Sequence, residues 1–287
     1  MPAAEFIRRR RIKGLEKMIR VFATKTDWTP TDDFAFYDEP PLYLKVPKKM
    51  PVKISVTFTW DIKKGNRLCS AWMHQSKDVS IGGPSIGGPP GDFIPGRFLK
   101  EGITITSRGC PKKCPWCLVS QREGGLREIN IAPGYIIQDN NLLACSHGHI
   151  EKVFEMLSRQ KRAAQFKGGL DVDYLGHWHI DLMKQIRIGE LWIACDSEKG
   201  LAKLPKARDL LGDWPIDKRR CYVLVGYEGD TPEAAQRRCE RIYDNENGFL
   251  PFAQYYQLPT AQRRIVTKEW HFTVRKWSRP AAYRSKK

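Results

Sequence analysis

The chain has 287 residues, of which 41% are hydrophobic and nine are tryptophan, and it carries a net charge of +17. That composition excludes a disordered chain and allows one large α/β domain, with or without an appendage. No apolar run is long enough to cross a bilayer, and no signal-like apolar segment follows Arg8 to Arg11, so a cytoplasmic protein without a membrane partner is expected.

Residues 1–26 mix Arg8 to Arg11, Lys13, Lys17 and Arg20 with Phe6, Ile7, Leu15, Met18, Ile19 and Val21, which suits a short basic helix or arm. Residues 27–50 contain Thr29-Pro-Thr-Asp-Asp33 and Glu39-Pro-Pro-Leu42 and read as an irregular linker. Val52 to Trp60 alternates as a strand does. Leu68 to His74 reads as a helix, and Val79 to Ile81 as a second strand entering a glycine-rich loop that ends at Gly91. Residues 1–99 thus form an arm and a small βαβ-like region. The glycine loop lacks both the Gly-Lys-Ser/Thr ending and the G-x-G-x-x-G spacing of nucleotide loops, so a turn is expected there.

From residue 100 strand and helix alternate. The predicted strands are Ile103 to Ser107, Tyr135 to Gln138, Gly169 to Val172, Leu191 to Cys195, Cys221 to Gly226 and Leu250 to Tyr256. Between them, Ile150, Val153, Phe154 and Leu157 share one helical face, as do Leu175, Trp178, Leu182 and Ile186. Thr231-Pro232-Glu233 is a helix start with Thr as N-cap, and Ala235, Cys239 and Ile242 continue a buried stripe. Such alternation requires parallel strands joined by right-handed crossovers, and six units predict an α/β partial (β/α)6 barrel over residues 100–258. In parallel α/β folds the loops after the strands carry the site.

The first of those strands runs into Arg108-Gly-Cys-Pro-Lys-Lys-Cys-Pro-Trp-Cys117. Cys110, Cys114 and Cys117 have C-x-x-x-C-x-x-C spacing, and Gly109, Pro111 and Pro115 make a tight loop that can fold round one centre. Three thiolates suit a soft metal. A closed zinc or iron–sulfur site normally has four protein ligands, and the loop has no fourth cysteine, so one metal position is open or is filled by a distant Cys or His.

This loop, with Trp116 directly before the last cysteine, resembles the signature of the radical S-adenosylmethionine (radical SAM) superfamily. The resemblance covers residues 100–258. It implies that the three cysteines hold three irons of a 4Fe–4S cluster and that S-adenosyl-L-methionine chelates the fourth. An electron from reduced flavodoxin or ferredoxin then cleaves the cofactor and gives a 5′-deoxyadenosyl radical that abstracts hydrogen from a substrate. Family members usually have Gly-Gly-Glu after the second strand to receive the methionine ammonium. Here Asp139-Asn140-Asn141 stands in that place, offering a carboxylate and two amide oxygens. The resemblance further implies a carboxylate at the mouth from Asp171, polar groups for the ribose from Asp196 and Ser197, and backbone near the adenine from Gly226 and Trp116. Gln254 and Tyr256 alternate on the last strand toward the interior.

The βαβ-like region faintly resembles the Rossmann-like domain that precedes the barrel in cobalamin-dependent relatives of that superfamily. It lacks the cobalamin-ligating Asp-x-His-x-x-Gly pattern, so no cobalamin is expected. No second cysteine cluster follows the barrel, so one cluster is expected. Cys69, Cys145, Cys195, Cys221 and Cys239 lie in periodic segments and read as small buried residues. Cys145-Ser-His147-Gly-His149 and His177-Trp-His179 begin helices, where histidines usually pack or face solvent.

Basic residues concentrate at the ends. The first 100 residues hold 18 basic and 10 acidic, the next 100 hold 13 and 12, and the last 87 hold 18 and 10. Basic ends suit a nucleic-acid partner, although no RNP-type or recognition-helix motif accompanies them. In the basic extension 259–287, Trp270, Phe272 and Trp277 interleave with Arg275, Lys276, Arg279 and Arg284. Aromatics interleaved with cations suit a nucleic-acid platform and also a helix that packs its aromatic face and presents its cations to water, and the second is expected here. Two rival functions remain: a non-catalytic zinc or iron–sulfur nucleic-acid-binding protein, and a barrel degenerated to a scaffold.

Overall fold

In the computed structural model, which describes residues 18–43, 50–87, 91–244, 248–260, 262 and 265–284, the chain divides into two compact units. The first is Met1–Ile86 with Gly96–Lys100, and the second is Gly87–Pro95 with Glu101–Lys287. The basic stretch Arg8 to Arg11, and the arm as far as Lys17, lie outside the described residues.

Unit one is built on a parallel sheet of β1 (Ile19–Phe22), β2 (Ala35–Phe36), β3 (Val52–Ser55) and β4 (Val79–Gly82), in the order β2-β1-β3-β4. Helix α1 (Ile62–Trp72) packs Leu68 and Trp72 against Ile19, Val21, Val52 and Ile54. Two features differ from the sequence expectation. The strand expected to reach Trp60 ends at Ser55, where Phe58 and Trp60 stack at 4.8 Å and a helical turn at Thr59–Asp61 leads into α1. The helix expected over Leu68 to His74 instead starts at Ile62 and ends at Trp72, and at Gly65 it lies so close to the sheet that a Cβ would come within 2.5 Å of Val56 Cγ2. A side chain there would push the helix off the sheet.

Strand β1 was not expected at all. All four of its residues are buried, including Arg20, whose guanidinium donates to the carbonyls of Gly96 and Arg97, each at 2.8 Å, and pairs with Asp32. A buried cation needs such partners.

In unit two the chain-ordered elements are β5 (Ile103–Thr104), β6 (Ser107–Arg108), α2 (Val119–Arg122), β7 (Arg127–Glu128), β8 (Ile136–Ile137), α3 (His147–Ser158), β9 (Ala164–Leu170), α4 (His177–Lys184), β10 (Ile188–Ala194), α5 (Glu198–Leu201), α6 (Leu204–Leu211), β11 (Arg219–Val225), α7 (Pro232–Tyr243), β12 (Leu250–Tyr255), α8 (Lys268–Trp277) and α9 (Pro280–Arg284). Six of the strands form one sheet in the order β5-β8-β9-β10-β11-β12, every neighbouring pair parallel. The chain is therefore α/β, and sheet order follows chain order. Among the described residues no pairing joins β12 back to β5. β6 and β7 form a separate antiparallel pair.

The expected strand Ile103 to Ser107 divides in two, since Thr106 turns its N–H to Asp139 Oδ1 at 2.7 Å. β9 begins five residues earlier than Gly169, on the alternating Ala164-Gln-Phe-Lys, and ends at Leu170. Gly168 fits because a Cβ there would lie 2.0 Å from the Asp139 carbonyl. The α3 stripe of Ile150, Val153, Phe154 and Leu157 is buried, as are Ala235, Cys239 and Ile242 of α7, whose N-cap Thr231 accepts from Ala234 N at 3.2 Å. On α4 the face is rotated: His179, Ile180 and Met183 are buried, whereas Trp178 and Leu182 are half-buried. Cys145, Cys195, Cys221 and Cys239 are buried and Cys69 half-buried, all as free thiols.

The C-terminal extension closes over β12. Trp270, Trp277 and Tyr283 are buried; Trp270 meets Tyr255 at 5.4 Å, Trp277 Nε1 donates to Gln236 Oε1 at 2.6 Å, and the Tyr283 hydroxyl donates to Pro251 O at 3.1 Å. Each such aromatic contributes about 2–3 kcal/mol by burial.

Candidate functional site

The cysteine loop is shaped at its first residue. Gly109 has φ +77°, and a Cβ there would sit 2.2 Å from Gly125 O, so only glycine lets the loop return against residues 124–125. At its far end Cys117 N donates to Cys114 O at 3.0 Å. Glu123, which caps α2, receives Gly109 N at 3.3 Å and Asn140 Nδ2 at 2.8 Å on the same oxygen.

Between those points the loop crosses the C-terminal ends of the sheet strands one after another. Cys110 Sγ accepts from Asn141 Nδ2, after β8, at 3.6 Å. Lys112 Nζ donates to Asp171 Oδ1 at 2.6 Å and to Asp173 Oδ2 at 2.7 Å, both after β9. The Trp116 indole donates to Asp196, after β10, whose Oδ1 also accepts Leu224 N of β11 at 2.8 Å. The Trp116 ring meets Tyr227, after β11, edge-on at 5.7 Å, and Tyr227 meets Tyr256, after β12, at 5.0 Å and 90°.

The electrostatics of the loop are mixed. Burial pushes the Cys114 thiol up, and Cys117, Cys110 and Asp196 add to this while Lys112 opposes it, so the thiols lie close enough to sense one another's charge. A bound cation reverses that balance and favours thiolates. For Lys112 burial opposes the charge, but hydrogen bonds to Asp171 and Asp173 outweigh it and hold the ammonium above its ordinary value. Hydrogen bonds from Lys112 and Lys203 hold the Asp173 carboxyl down at about 2. Burial pushes Asp196 up against the hydrogen bonds from Leu224 N and Trp116.

Asn141 is the residue whose bonding is incomplete. It is 3% exposed; its amide nitrogen also donates to Asp171 Oδ2 at 2.9 Å, while its Oδ1 is buried with no hydrogen-bond partner. Because the Asp171 carboxylate only accepts when charged, the nitrogen faces Asp171 and the oxygen is the free atom. An unpaired buried acceptor costs about 1–3 kcal/mol, so it marks a place where a donor fits.

Seven of the residues singled out in the sequence come together: Cys110, Cys114, Cys117, Trp116, Asn141, Asp171 and Asp196. The other four occupy supporting positions. Asp139, 1% exposed, accepts from Thr106 N, Thr106 Oγ1 and Ser107 Oγ, the last at 2.8 Å, and burial pushes its carboxyl up against those bonds. Asn140 bonds Glu123, and Ser197 N-caps α5 by accepting Gly200 N at 3.3 Å. Gly226, at φ +76°, donates its N–H to Asp230 and has the Tyr255 ring 2.3 Å from where a Cβ would be.

Lys112, Asp173, Lys203 and Tyr227 were missed by sequence reasoning. A cation inside the thiol loop and the Asp171-Val-Asp173 spacing were the available signals. The histidines hold structure: His149 Nε2 meets Thr106 Oγ1 at 3.1 Å, His147 stacks on Trp178 at 4.2 Å, and His179 Nδ1 accepts Gly176 N at 3.2 Å. Among the described residues no three His, Cys, Asp or Glu side chains are gathered as ligands of one ion. The three thiols share one loop, and the acceptor lacking its donor belongs to the side chain beside Cys110.

Compared with known proteins, the chain matches no family model and no curated sequence.

Proposed function

We propose that unit two is a partial (β/α)6 barrel of the radical SAM type and that the protein is a cytoplasmic enzyme. In this reading Cys110, Cys114 and Cys117 hold a 4Fe–4S cluster beside S-adenosyl-L-methionine, with reduced flavodoxin or ferredoxin as electron donor. The observation that carries the reading is the three-thiol loop laid across the ends of parallel strands with the orphaned Asn141 Oδ1 beside Cys110. Six parallel strands in chain order require crossover connections, which as a rule are right-handed, and a run of same-handed crossovers favours helices on one face and curling.

When bound, the cluster and cofactor supply reductive carbon–sulfur cleavage and a hydrogen-abstracting radical. The chain's own work is positioning. Asn141 Oδ1 would accept from the ammonium of that cofactor, while Lys112 and Asp171 hold Asn141 and the loop in place. Trp116, Tyr227 and Tyr256 wall the mouth against water and stray hydrogen donors. Asp196, anchored by Trp116 and Leu224 N, would offer an acceptor to the cofactor's sugar hydroxyls. Asp139, Asn140, Ser197 and Gly226 act through their neighbours instead of touching the cofactor.

The test is anaerobic reconstitution with iron and sulfide, reduction with dithionite, and a search for 5′-deoxyadenosine after adding the cofactor. Cys114→Ala should lose both the cluster's visible absorption and the product. Retention of both in that variant would overturn the reading. Zinc in the anaerobic protein, or iron without cofactor cleavage, would favour the non-catalytic nucleic-acid-binding alternative.

A further inference from the structure

Several cations of unit two face a carboxylate: Lys112, Lys184, Lys203, Arg241 and Arg284 are each in an ion pair. Helix α8 differs. Its inner face is fixed by buried Trp270, Thr273 and Trp277, so its outer face is a rigid surface. There Phe272 is 71% exposed, and His271, Arg275 and Arg279 are exposed beside it. His271, Val274, Arg275, Ser278 and Arg279 line an open cavity of about 400 Å³ that contains no acidic side chain. Neither Arg275 nor Arg279 has an ion-pair partner among the described residues.

The helix is also placed with respect to the candidate site. Trp270 packs on Tyr255, the last residue of β12, so the first turn of α8 stands at the strand ends that the cysteine loop crosses. Trp277, the last residue of α8, lies seven residues further on, about 10 Å along the helix, with Arg279 just past its end.

An exposed aromatic ring next to unpaired guanidinium groups fits a chain of alternating planar and anionic groups. Guanidinium forks bind phosphate oxygens in pairs, and a base can stack on the free ring. A duplex keeps its bases stacked inside and would leave Phe272 without a partner. We propose that the outer face of α8 binds single-stranded nucleic acid, with Phe272 stacking on a base, Arg275 and Arg279 on neighbouring phosphates, and the strand leading toward Trp116. Binding at α8 stands on this surface alone; that the strand is the substrate class rests on the radical SAM reading.

Fluorescence polarisation tests binding on the full chain without cluster, using a labelled 12-nucleotide single strand, as RNA and as DNA, and the matching duplex. The single strand should bind more tightly than the duplex. Phe272→Ala should weaken it about 5- to 100-fold, and Phe272→Tyr should restore it. Arg275→Ala with Arg279→Ala should weaken binding and lower the slope of log affinity against log salt by about 1.4. All three side chains are exposed, and an unchanged circular dichroism spectrum checks folding. No binding by the wild type, equal binding by Phe272→Ala, or capture by phosphatidylserine vesicles in preference to the single strand would overturn the proposal. Failure of cofactor cleavage would leave these binding results untouched and count against the enzyme reading alone.

Discussion

Lys112 shows how a single side chain fixes the thiol loop. Its ammonium bridges Asp171 and Asp173, and Lys203 balances the second carboxylate at 2.7 Å. Lys112→Met would leave two facing carboxylates and release the middle of the loop. Amide exchange across residues 109–117 should then accelerate about tenfold, corresponding to roughly 1–2 kcal/mol for a partly exposed charged hydrogen-bond pair, and Lys112→Arg should recover most of it. The network is also acid-sensitive in a defined direction. With its carboxyl at about 2 instead of the ordinary 3.8, Asp173 binds fewer protons folded than unfolded between those values, so its contribution is complete above the ordinary value and is lost as the pH falls through about 2. Asp173→Asn should flatten that acid limb in a circular dichroism titration; the effect is small because the carboxylate is 42% exposed. That the three cysteines share one loop was legible, since their spacing is local. The partners of Lys112 lie 59 and 61 residues downstream, where no local pattern points back to them.

Helices were easier to read than short strands for a reason visible in α3 and α7. Each buries a stripe at helical spacing, and Thr231 signals the start of α7 through a cap that is a property of neighbouring residues. β1 has no such signature. Its four residues carry a charge in second position, and what makes Arg20 tolerable is the pair of carbonyls at Gly96 and Arg97, 76 and 77 residues away. Arg20→Met removes those bonds, leaving the two carbonyls without that donor and Asp32 without its cation. It should destabilise unit one by about 2–4 kcal/mol in urea unfolding followed by proteolysis of that unit, with little effect on unit two. In α4 the misread face came from weighting Trp178 and Leu182 above His179, which packs inward with its Nδ1 accepting from Gly176 N.

Across the molecule, the alternation of strand and helix after residue 100 conveyed the parallel sheet and its order, because a parallel neighbour demands a crossover between consecutive strands. The four-stranded sheet of unit one was only half visible: β2 has two residues, and among the described residues the connections to it contain no helix that would announce a crossover.

The course of the cysteine loop over the sheet has one more consequence. Residues 110, 112 and 116 meet the ends of β8, β9 and β10 in that order, so the segment is pinned at three points set by the spacing of adjacent strands, about 4.8 Å. Its length is then as constrained as its thiols. One glycine inserted after Lys113 should spare the Cys110 and Lys112 contacts yet carry Trp116 past Asp196, exposing the indole. A red shift in fluorescence, in a background where the other eight tryptophans are unaltered, reports that slip.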